Sequence, residues 1–246
     1  MLRSSRLAIG IAAALWLFSG LLHAQTVEDI IATNLRSKGG LEKIKATNNV
    51  RMTGSVVARD MSGRELTGTM TMVAKRPNLM RRDVDLGGQR VVNAFDGSAL
   101  WMAIGNGPPQ QVPASQNAYS SQDAEFDSVF VDYKEKGHKI ELVGKEMLDG
   151  ASVYHLKVTK KGGPPQDYYL DAETGLEKKI SVTARGPDGS QMVQVTEFSD
   201  YRSVDGGMVP FVLKQRQNTT LIATTTLDKV EFNVAIDDGF FRMPAK

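Results

Sequence analysis

An alternation of apolar and polar residues with a period of two runs through most of this chain, and it constrains the fold more than any other feature. A strand with one buried face has this period, because successive side chains point to opposite sides of a sheet. In LTGTMTMVAKRPNLM, residues 66–80, Leu66, Met70 and Met72 fall on one face and the threonines fall on the other. The pattern predicts a strand with methionines on its apolar face.

The preceding segment VRMTGSVVAR, residues 50–59, has the same period and places Met52 and Val56 on its apolar face. The intervening DMSG is a turn sequence, so the two strands are predicted to form an antiparallel hairpin. A proline lacks the N–H that a sheet ladder needs, and the second strand should therefore end at Arg76-Pro77.

The rest of the chain predicts a long antiparallel sheet with little helical cover. Helices are predicted at two places: a helix capped by Thr26 and Asp29, with a glycine break at Gly39-Gly40 and a short second helix after it, and a mid-chain helix within residues 117–137. Such a sheet must either curl on itself or leave part of its apolar face open. Further strands are predicted at 79–86, 90–96, 99–104, 139–145, 152–159, 166–171, 176–185, 190–202, 208–217 and 219–233.

The N-terminus has the order of a secretory signal peptide: Arg3 and Arg6, an apolar run over residues 7–22, and then small residues. Cleavage is predicted after Ala24, which leaves residues 25–246 as a single domain. The alternative is an uncleaved membrane anchor, which the short run and the lack of a cationic flank disfavour. We therefore expect a soluble periplasmic protein.

Charge and cysteine content exclude several classes of protein. Without Arg3 and Arg6 the chain has 28 basic and 28 acidic residues, and a neutral chain with no basic run is a poor candidate for binding nucleic acid. It contains no cysteine. It can therefore form no disulfide, carry no lipid on an N-terminal Cys, and build no zinc site of the usual kind.

Few residues are suited to catalysis. After the leader, His138 and His155 are the two histidines, and neither has a second histidine at metal-ligand spacing. No nucleophile elbow, phosphate loop or dinucleotide fingerprint occurs. The acidic segments RRDVD and IDDG are typical of turns and wet strand faces, although a glycosidase-like carboxylate pair stays open because the fold sets its spacing. We predict no metal, no cofactor, no catalytic residue and no enzymatic activity.

A longer pattern resembles a known family. The segment AKRPNLMRRDVDLGGQRVVNAFDGSALWMAI, residues 74–104, has Lys-Arg-Pro-Asn-Leu, then a strand, then an apolar strand ending in Asp-Gly, then Leu-Trp. This order resembles the LolA-like periplasmic proteins that sort lipoproteins to the outer membrane. The later segments DYKEKGHKIELVGKE, YYLDAETGLEKK, FSDYRSVDGGMVPF and DDGFFRMP are similar to that group as well.

The resemblance implies an incomplete, strongly curved antiparallel β-barrel with helices as a lid over a hydrophobic cavity. It implies that acyl chains of lipoproteins or lipids enter between sheet and lid, and that partners are an inner-membrane export complex and an outer-membrane acceptor. In the family, the arginine of the Arg-Pro-Asn motif holds the lid closed through hydrogen bonds and supports onward transfer of cargo. Arg76 stands at that position here. Without the resemblance, Arg76 would be interpreted as a solvated arginine at a strand end.

The candidate cavity combines the methionines with their strand neighbours. A methionine stripe is usually packed core, but methionine also adapts to ligands of variable shape. Trp101 lines the cavity or simply packs against the sheet. The candidate lining residues are Met52, Val56, Leu66, Met70, Met72, Met80, Trp101 and Met102.

Four hypotheses about function follow. The first is a non-enzymatic, monomeric carrier for a general lipoprotein, one dedicated lipoprotein or a free lipid. The second is a sensor or regulatory module of the same fold that binds a lipidated signal and a membrane protein. The third is a structural envelope protein whose cavity is filled by its own side chains, and the fourth is an enzyme.

Overall fold

A computed structural model describes residues 25–60, 62–113, 124–185 and 189–244 of the chain. Within these ranges two α-helices stand at the N-terminus, α1 (Val27–Ser37) and α2 (Leu41–Ala46). The predicted capping box is confirmed, because the Thr26 hydroxyl accepts a hydrogen bond from the Asp29 N–H and the Asp29 carboxylate accepts one from the Thr26 N–H. Gly39 and Gly40 have positive φ angles of 103° and 91° just after α1, a conformation that glycine adopts without strain, and they separate the helices as predicted.

The strands of the described residues form one thirteen-stranded antiparallel sheet. The strands are β1 (Asn49–Arg59), β2 (Glu65–Lys75), β3 (Leu79–Leu86), β4 (Gln89–Asp96), β5 (Leu100–Ile104), β6 (Gln110–Gln111), β7 (Lys139–Leu148), β8 (Ala151–Thr159), β9 (Pro165–Asp171), β10 (Glu177–Arg185), β11 (Gln191–Val204), β12 (Gly207–Gln217) and β13 (Thr220–Phe232). Their order is β6-β5-β4-β3-β2-β1-β13-β12-β11-β10-β9-β8-β7, so all adjacent strands of the sheet are consecutive in sequence except β1 and β13. The edge strands β6 and β7 do not pair with each other, and the predicted fold class is confirmed: a mainly β protein with an open, curved antiparallel sheet and helices.

The strand predictions are confirmed, with ends that differ by a few residues, because the alternation of apolar side chains marks each buried face. The pairs Met52–Met72 and Gly54–Met70 lie opposite each other in the predicted β1–β2 hairpin. The strand β2 ends at Lys75, immediately before Arg76-Pro77. The two-residue strand β6 was not predicted. The predicted signal peptide lies outside the described residues.

The predicted mid-chain helix is corrected in part. Residues 129–137 form consecutive turns and residues 124–128 form bends and irregular chain, so the described part of this segment contains no regular helix; residues 117–123 lie outside the described ranges. Asp132 has a φ of 51°, in the left-handed region that interrupts a right-handed helix. Val129, Val131 and Asp132 are weak helix formers, and the Ser128 hydroxyl accepts a hydrogen bond from the Phe130 N–H, which competes with helical bonding.

Two hydrophobic clusters hold α1 and the turn segment 124–137 against the sheet. In the first, Ile30 and Ile31 of α1 and Phe130 pack on Leu156 of β8 and Leu170 of β9. The second lies on the strands beside the β1–β13 junction, around Val56, Met70, Phe211, Leu227 and Val230. The first cluster is closely packed, whereas the second borders the open space described in the next section.

Part of the opposite, outer face, around Lys75, Arg81 and Trp101, is covered by the C-terminal segment, residues 234–244. Its 3-10 helix (Asp238–Phe241) contacts β3 and β4. The Trp101 indole Nε1 donates a hydrogen bond of 2.8 Å to the Phe241 carbonyl, and the Lys75 Nζ donates one of 3.0 Å to the Ile236 carbonyl. Trp101 is 2% exposed and therefore belongs to the outer-face packing.

A substitution of Asn34 tests one of the contacts that hold α1 against the sheet. Its buried side-chain Nδ2 donates a hydrogen bond of 2.8 Å to the Gly175 carbonyl in the turn between β9 and β10. We expect Asn34→Ala to lower the free energy of unfolding by about 1–3 kcal/mol, because it leaves a buried carbonyl without a donor. Denaturant unfolding measures the loss, and Arg36→Ala, at an exposed position of the same helix, is the control. Equal stability of the two variants would contradict this role.

Candidate functional site

Two adjoining cavities occupy the inner face of the sheet. The first, here called the covered cavity, has a volume of about 320 Å³ and lies between the sheet and a roof formed by α2 and residues 124–128. The second, here called the sheet cavity, has a volume of about 400 Å³ and is lined by strand residues alone. Met52, Met72 and Met80 line both, so the two cavities form one groove. These volumes lie within the range of small-molecule sites, about 300–1,000 Å³.

The structure brings together four of the eight predicted lining residues. Met52, Met70, Met72 and Met80 line the groove. These four side chains lie on the inner face of β1, β2 and β3, as the alternation of apolar and polar residues predicted. The groove is thus lined at its centre by flexible, polarizable side chains that fit irregular apolar shapes.

The other four residues lie elsewhere. Val56 is packed in the cluster beside the groove, 2% exposed, and Leu66 lies near the outer end of the hairpin, opposite Ala58. Met102 is opposite Asn93 at the periphery of the sheet and does not line either cavity. Trp101 faces away from the groove, because it alternates with the cavity residue Leu100 on β5.

Arg76 joins the sheet to both parts of the roof. Its Nε donates a hydrogen bond of 2.6 Å to the Thr47 carbonyl, and its Nη2 donates one of 2.8 Å to the Ile44 carbonyl, at the C-terminal end of α2. Both terminal nitrogens of the guanidinium also bind the carboxylate of Asp127, with 2.7 Å between Nη2 and Oδ1. The guanidinium lies over the Phe126 ring, 4.9 Å from its centroid. One side chain therefore binds two carbonyls at the C-terminal end of α2, where the Ile44 carbonyl also accepts a hydrogen bond of 3.2 Å from the Thr47 N–H.

Further contacts at the surface join α1 and α2 to the turn segment 124–137. Lys45 of α2 pairs with Asp132 at 2.8 Å, and Lys134 pairs with Glu28 of α1 at 2.8 Å. The Lys134 hydrogen bond lowers the pKa of Glu28. Exposed pairs of this kind contribute little individually, so the half-buried Arg76–Asp127 pair is the stronger connection.

The groups considered for catalysis have other partners. His155 lies 2.9 Å from Asp167 and stacks on Tyr169, and burial lowers the pKa of His138. In the acidic segments, Asp237 caps the C-terminal 3-10 helix. Burial acts to raise the pKa of Asp83, but hydrogen bonds from two arginines outweigh it and the pKa lies below its usual value. The described ranges contain no cluster of three or more His, Asp or Glu side chains that would hold a metal ion.

Several residues of the site are not marked by any sequence motif. Asp127, the carboxylate partner of Arg76, lies in the segment whose spacing predicts a helix. Arg82 and Asn93 line the sheet cavity, and the alternation could have identified Arg82, because it shares the inward phase of Met80 on β3.

Solved structures share this fold. A DUF1329 family protein from Desulfovibrio piger superposes with a TM-score of 0.61 at 14% identity, over 88% of this chain and 97% of the other. A LolA superfamily protein from Nitrosomonas europaea gives a TM-score of 0.56 at 11% identity, over 88% and 97%. An outer membrane lipoprotein-sorting protein domain from Vibrio parahaemolyticus gives 0.54 at 12% identity, over 83% and 97%. The chain thus has a LolA-like fold, as the sequence motifs predicted.

No protein-family model and no curated protein matches the sequence. In the part of the chain that the structure describes, no helix has the length and apolar character needed to cross a membrane. The likenesses to solved structures therefore establish the fold, and the function has to be argued from the groove and its roof.

The Arg76 contacts generate a prediction about local opening. We expect Arg76→Leu to speed hydrogen exchange at the amides of Ile44 and Thr47 roughly 10- to 100-fold, which corresponds to a loss of about 1.5–3 kcal/mol from charge-assisted hydrogen bonds. Hydrogen-exchange mass spectrometry of residues 40–48 measures this. Arg59→Leu, which breaks an exposed ion pair with Glu65 at the far end of the hairpin, is the control. Unchanged exchange in a folded Arg76→Leu protein would show that the contacts do not hold the roof.

Proposed function

We propose that this protein is a non-enzymatic periplasmic carrier that binds the acyl chains of lipoproteins or lipids in its groove and transfers them toward the outer membrane. The single observation that carries the proposal is the methionine-lined groove that runs from the open sheet to beneath a roof attached by Arg76. The LolA-like fold supports it, because the structural neighbours include a lipoprotein-sorting domain. Residues 25–246 would act as one unit after removal of the leader.

The chemistry of the covered cavity suits hydrocarbon. Its floor contains Ala74, Val209 and Phe232 beside the shared methionines, and Phe126 contributes to the roof. Burial of one methylene contributes about 0.8 kcal/mol of binding free energy. A chain of about fourteen methylenes would therefore contribute about 11 kcal/mol if it were fully buried. Several fully buried chains would approach the limit of noncovalent affinity at about 20 kcal/mol, and release would become too slow for a carrier.

Release therefore requires partial exposure of the cargo or a roof that opens at a small cost in free energy, and two features of the groove suit these requirements. The sheet cavity has no roof residue in its described lining. The helix of the roof over the covered cavity, α2, has six residues, and Arg76 attaches both parts of that roof to the sheet. We assign Arg76 the role of a latch whose hydrogen bonds are broken when cargo enters or leaves.

A blocked groove tests cargo binding. We expect Met72→Trp to reduce the phospholipid or acylated peptide that copurifies with the protein at least tenfold, because the indole would fill the region shared by the two cavities. Mass spectrometry of gently purified protein quantifies the bound lipid. The control is Thr69→Trp, which adds the same side chain at an exposed position of the same strand. Wild-type protein that carries no acyl chain would contradict the carrier proposal and favour a structural envelope protein, whereas turnover of a lipid ester would favour an enzyme.

The latch makes a separate prediction about transfer. Arg76→Leu should alter the rate of cargo release severalfold or more while the melting temperature changes little, because its partners lie in the roof rather than in the main core. Transfer of fluorescent lipid from loaded protein to acceptor vesicles measures the rate. Normal transfer by the variant, or failure of the variant to fold, would refute the latch role. Wild-type protein that holds lipid without transferring it would favour a sensor that binds a lipidated signal.

A further inference from the structure

The sheet cavity has a polar end built around one arginine. The register places Met52, Met72, Arg82, Asn93 and Met102 opposite one another in a row across β1 to β5. Arg82 is half-buried on the inner face of β3 and lines the cavity directly beside the shared methionines. Its side chain makes no hydrogen bond or ion pair with any other described residue.

This arginine differs from the charged groups around it. In the covered cavity, Lys38 pairs with Glu177 at 2.5 Å, Lys43 with Asp205 at 3.0 Å, and the two acidic lining residues are paired as well. On the outer face of the same strand, Arg81 pairs with Asp83 at 2.7 Å. The described residues thus supply a carboxylate to each of these cations and none to Arg82.

The neighbours of Arg82 add neutral polar groups and no negative charge. Asn93 lies across from it on β4, and Gln215 and Thr225 line the cavity from β12 and β13. Among the described residues none of these three side chains has a hydrogen-bond partner, and no Asp or Glu lines the sheet cavity. A guanidinium with neutral hydrogen-bonding groups around it is suited to bind an oxyanion through its paired donors.

We infer that the Arg82 end of the sheet cavity binds the acidic headgroup of an amphiphile, a phosphate or a carboxylate attached directly to the acyl chains that fill the groove. This inference rests on the proposed function and narrows its cargo. The three shared methionines connect Arg82 to the covered cavity, so one ligand can place its oxyanion at Arg82 and its chains beneath α2. An uncharged diacylglyceryl group would leave the guanidinium without a partner in a partly apolar space, and it would therefore bind less well.

The test compares probes that differ in headgroup. Calorimetric titration of the full mature chain, cleared of copurified lipid, would use dioctanoyl phosphatidic acid, dioctanoyl phosphatidylglycerol, decanoate and uncharged dioctanoylglycerol. We expect the acidic diacyl probes to bind roughly tenfold or more tightly than dioctanoylglycerol. Tighter binding of the phosphate probes would identify a phospholipid headgroup as the source of the oxyanion, and tighter binding of decanoate would identify a fatty acid.

Two variants make the result specific. Arg82→Gln should weaken binding of the acidic probes roughly tenfold or more, the effect of losing one charge-assisted hydrogen bond or more, and leave dioctanoylglycerol unchanged. Arg51→Gln, the same charge change on the outer face of β1, should leave all four affinities unchanged. Equal loss for charged and uncharged probes in Arg82→Gln, or no loss at all, would overturn the headgroup site while the groove still holds acyl chains. Failure of every probe to bind the wild-type protein would overturn the carrier proposal and this inference together.

Discussion

The structure depends on incomplete cover of one surface: in the described part of the chain, a thirteen-stranded sheet presents an apolar inner face that α1 and α2 cover only in part. Where α1 and Phe130 reach the sheet, the interior is closely packed around Leu156 and Leu170. Beyond the end of α2, the face is lined by methionines and remains accessible as a groove. Partial cover places flexible apolar side chains at the boundary between a closely packed core and solvent, and the proposed carrier function depends on this boundary.

Most of the sheet could be predicted, because a strand with one buried face repeats every two residues and Gly, Asp and Pro mark the turns. The same alternation correctly oriented Met70 and Met72. It did not show that the mid-chain segment would form turns. The helical spacing of aromatic residues there reflects which side chains contact the sheet. The positive φ of Asp132 and the bonding of Asp127 to Arg76 depend on tertiary contacts, which the spacing of residues in the sequence does not reveal.

Some residues of the site could be predicted from local sequence patterns, whereas the roles of others depend on contacts between distant parts of the chain. Arg76 was predicted from a motif, and its contacts to the Ile44 and Thr47 carbonyls agree with what that motif implies. The sequence left two positions open for Trp101, because an outer sheet face is usually exposed to solvent. In the structure, the C-terminal segment covers Trp101, and its Phe241 carbonyl accepts the indole hydrogen bond. Arg82 has the inward phase in the sequence, but its lack of a partner became visible only when the facing strands were in place.

The strand order connects the roof to an edge of the sheet. The edge strands β6 and β7 stand at opposite ends of the sheet, and residues 112–138 are the covalent connection between them. The roof residue Phe126 belongs to this connection and is bonded to the Pro77 carbonyl between β2 and β3. Because residues 124–137 lead directly into β7, one stretch of chain contributes both to the cover of the cavity and to the edge of the sheet, and that cover is also attached between β2 and β3.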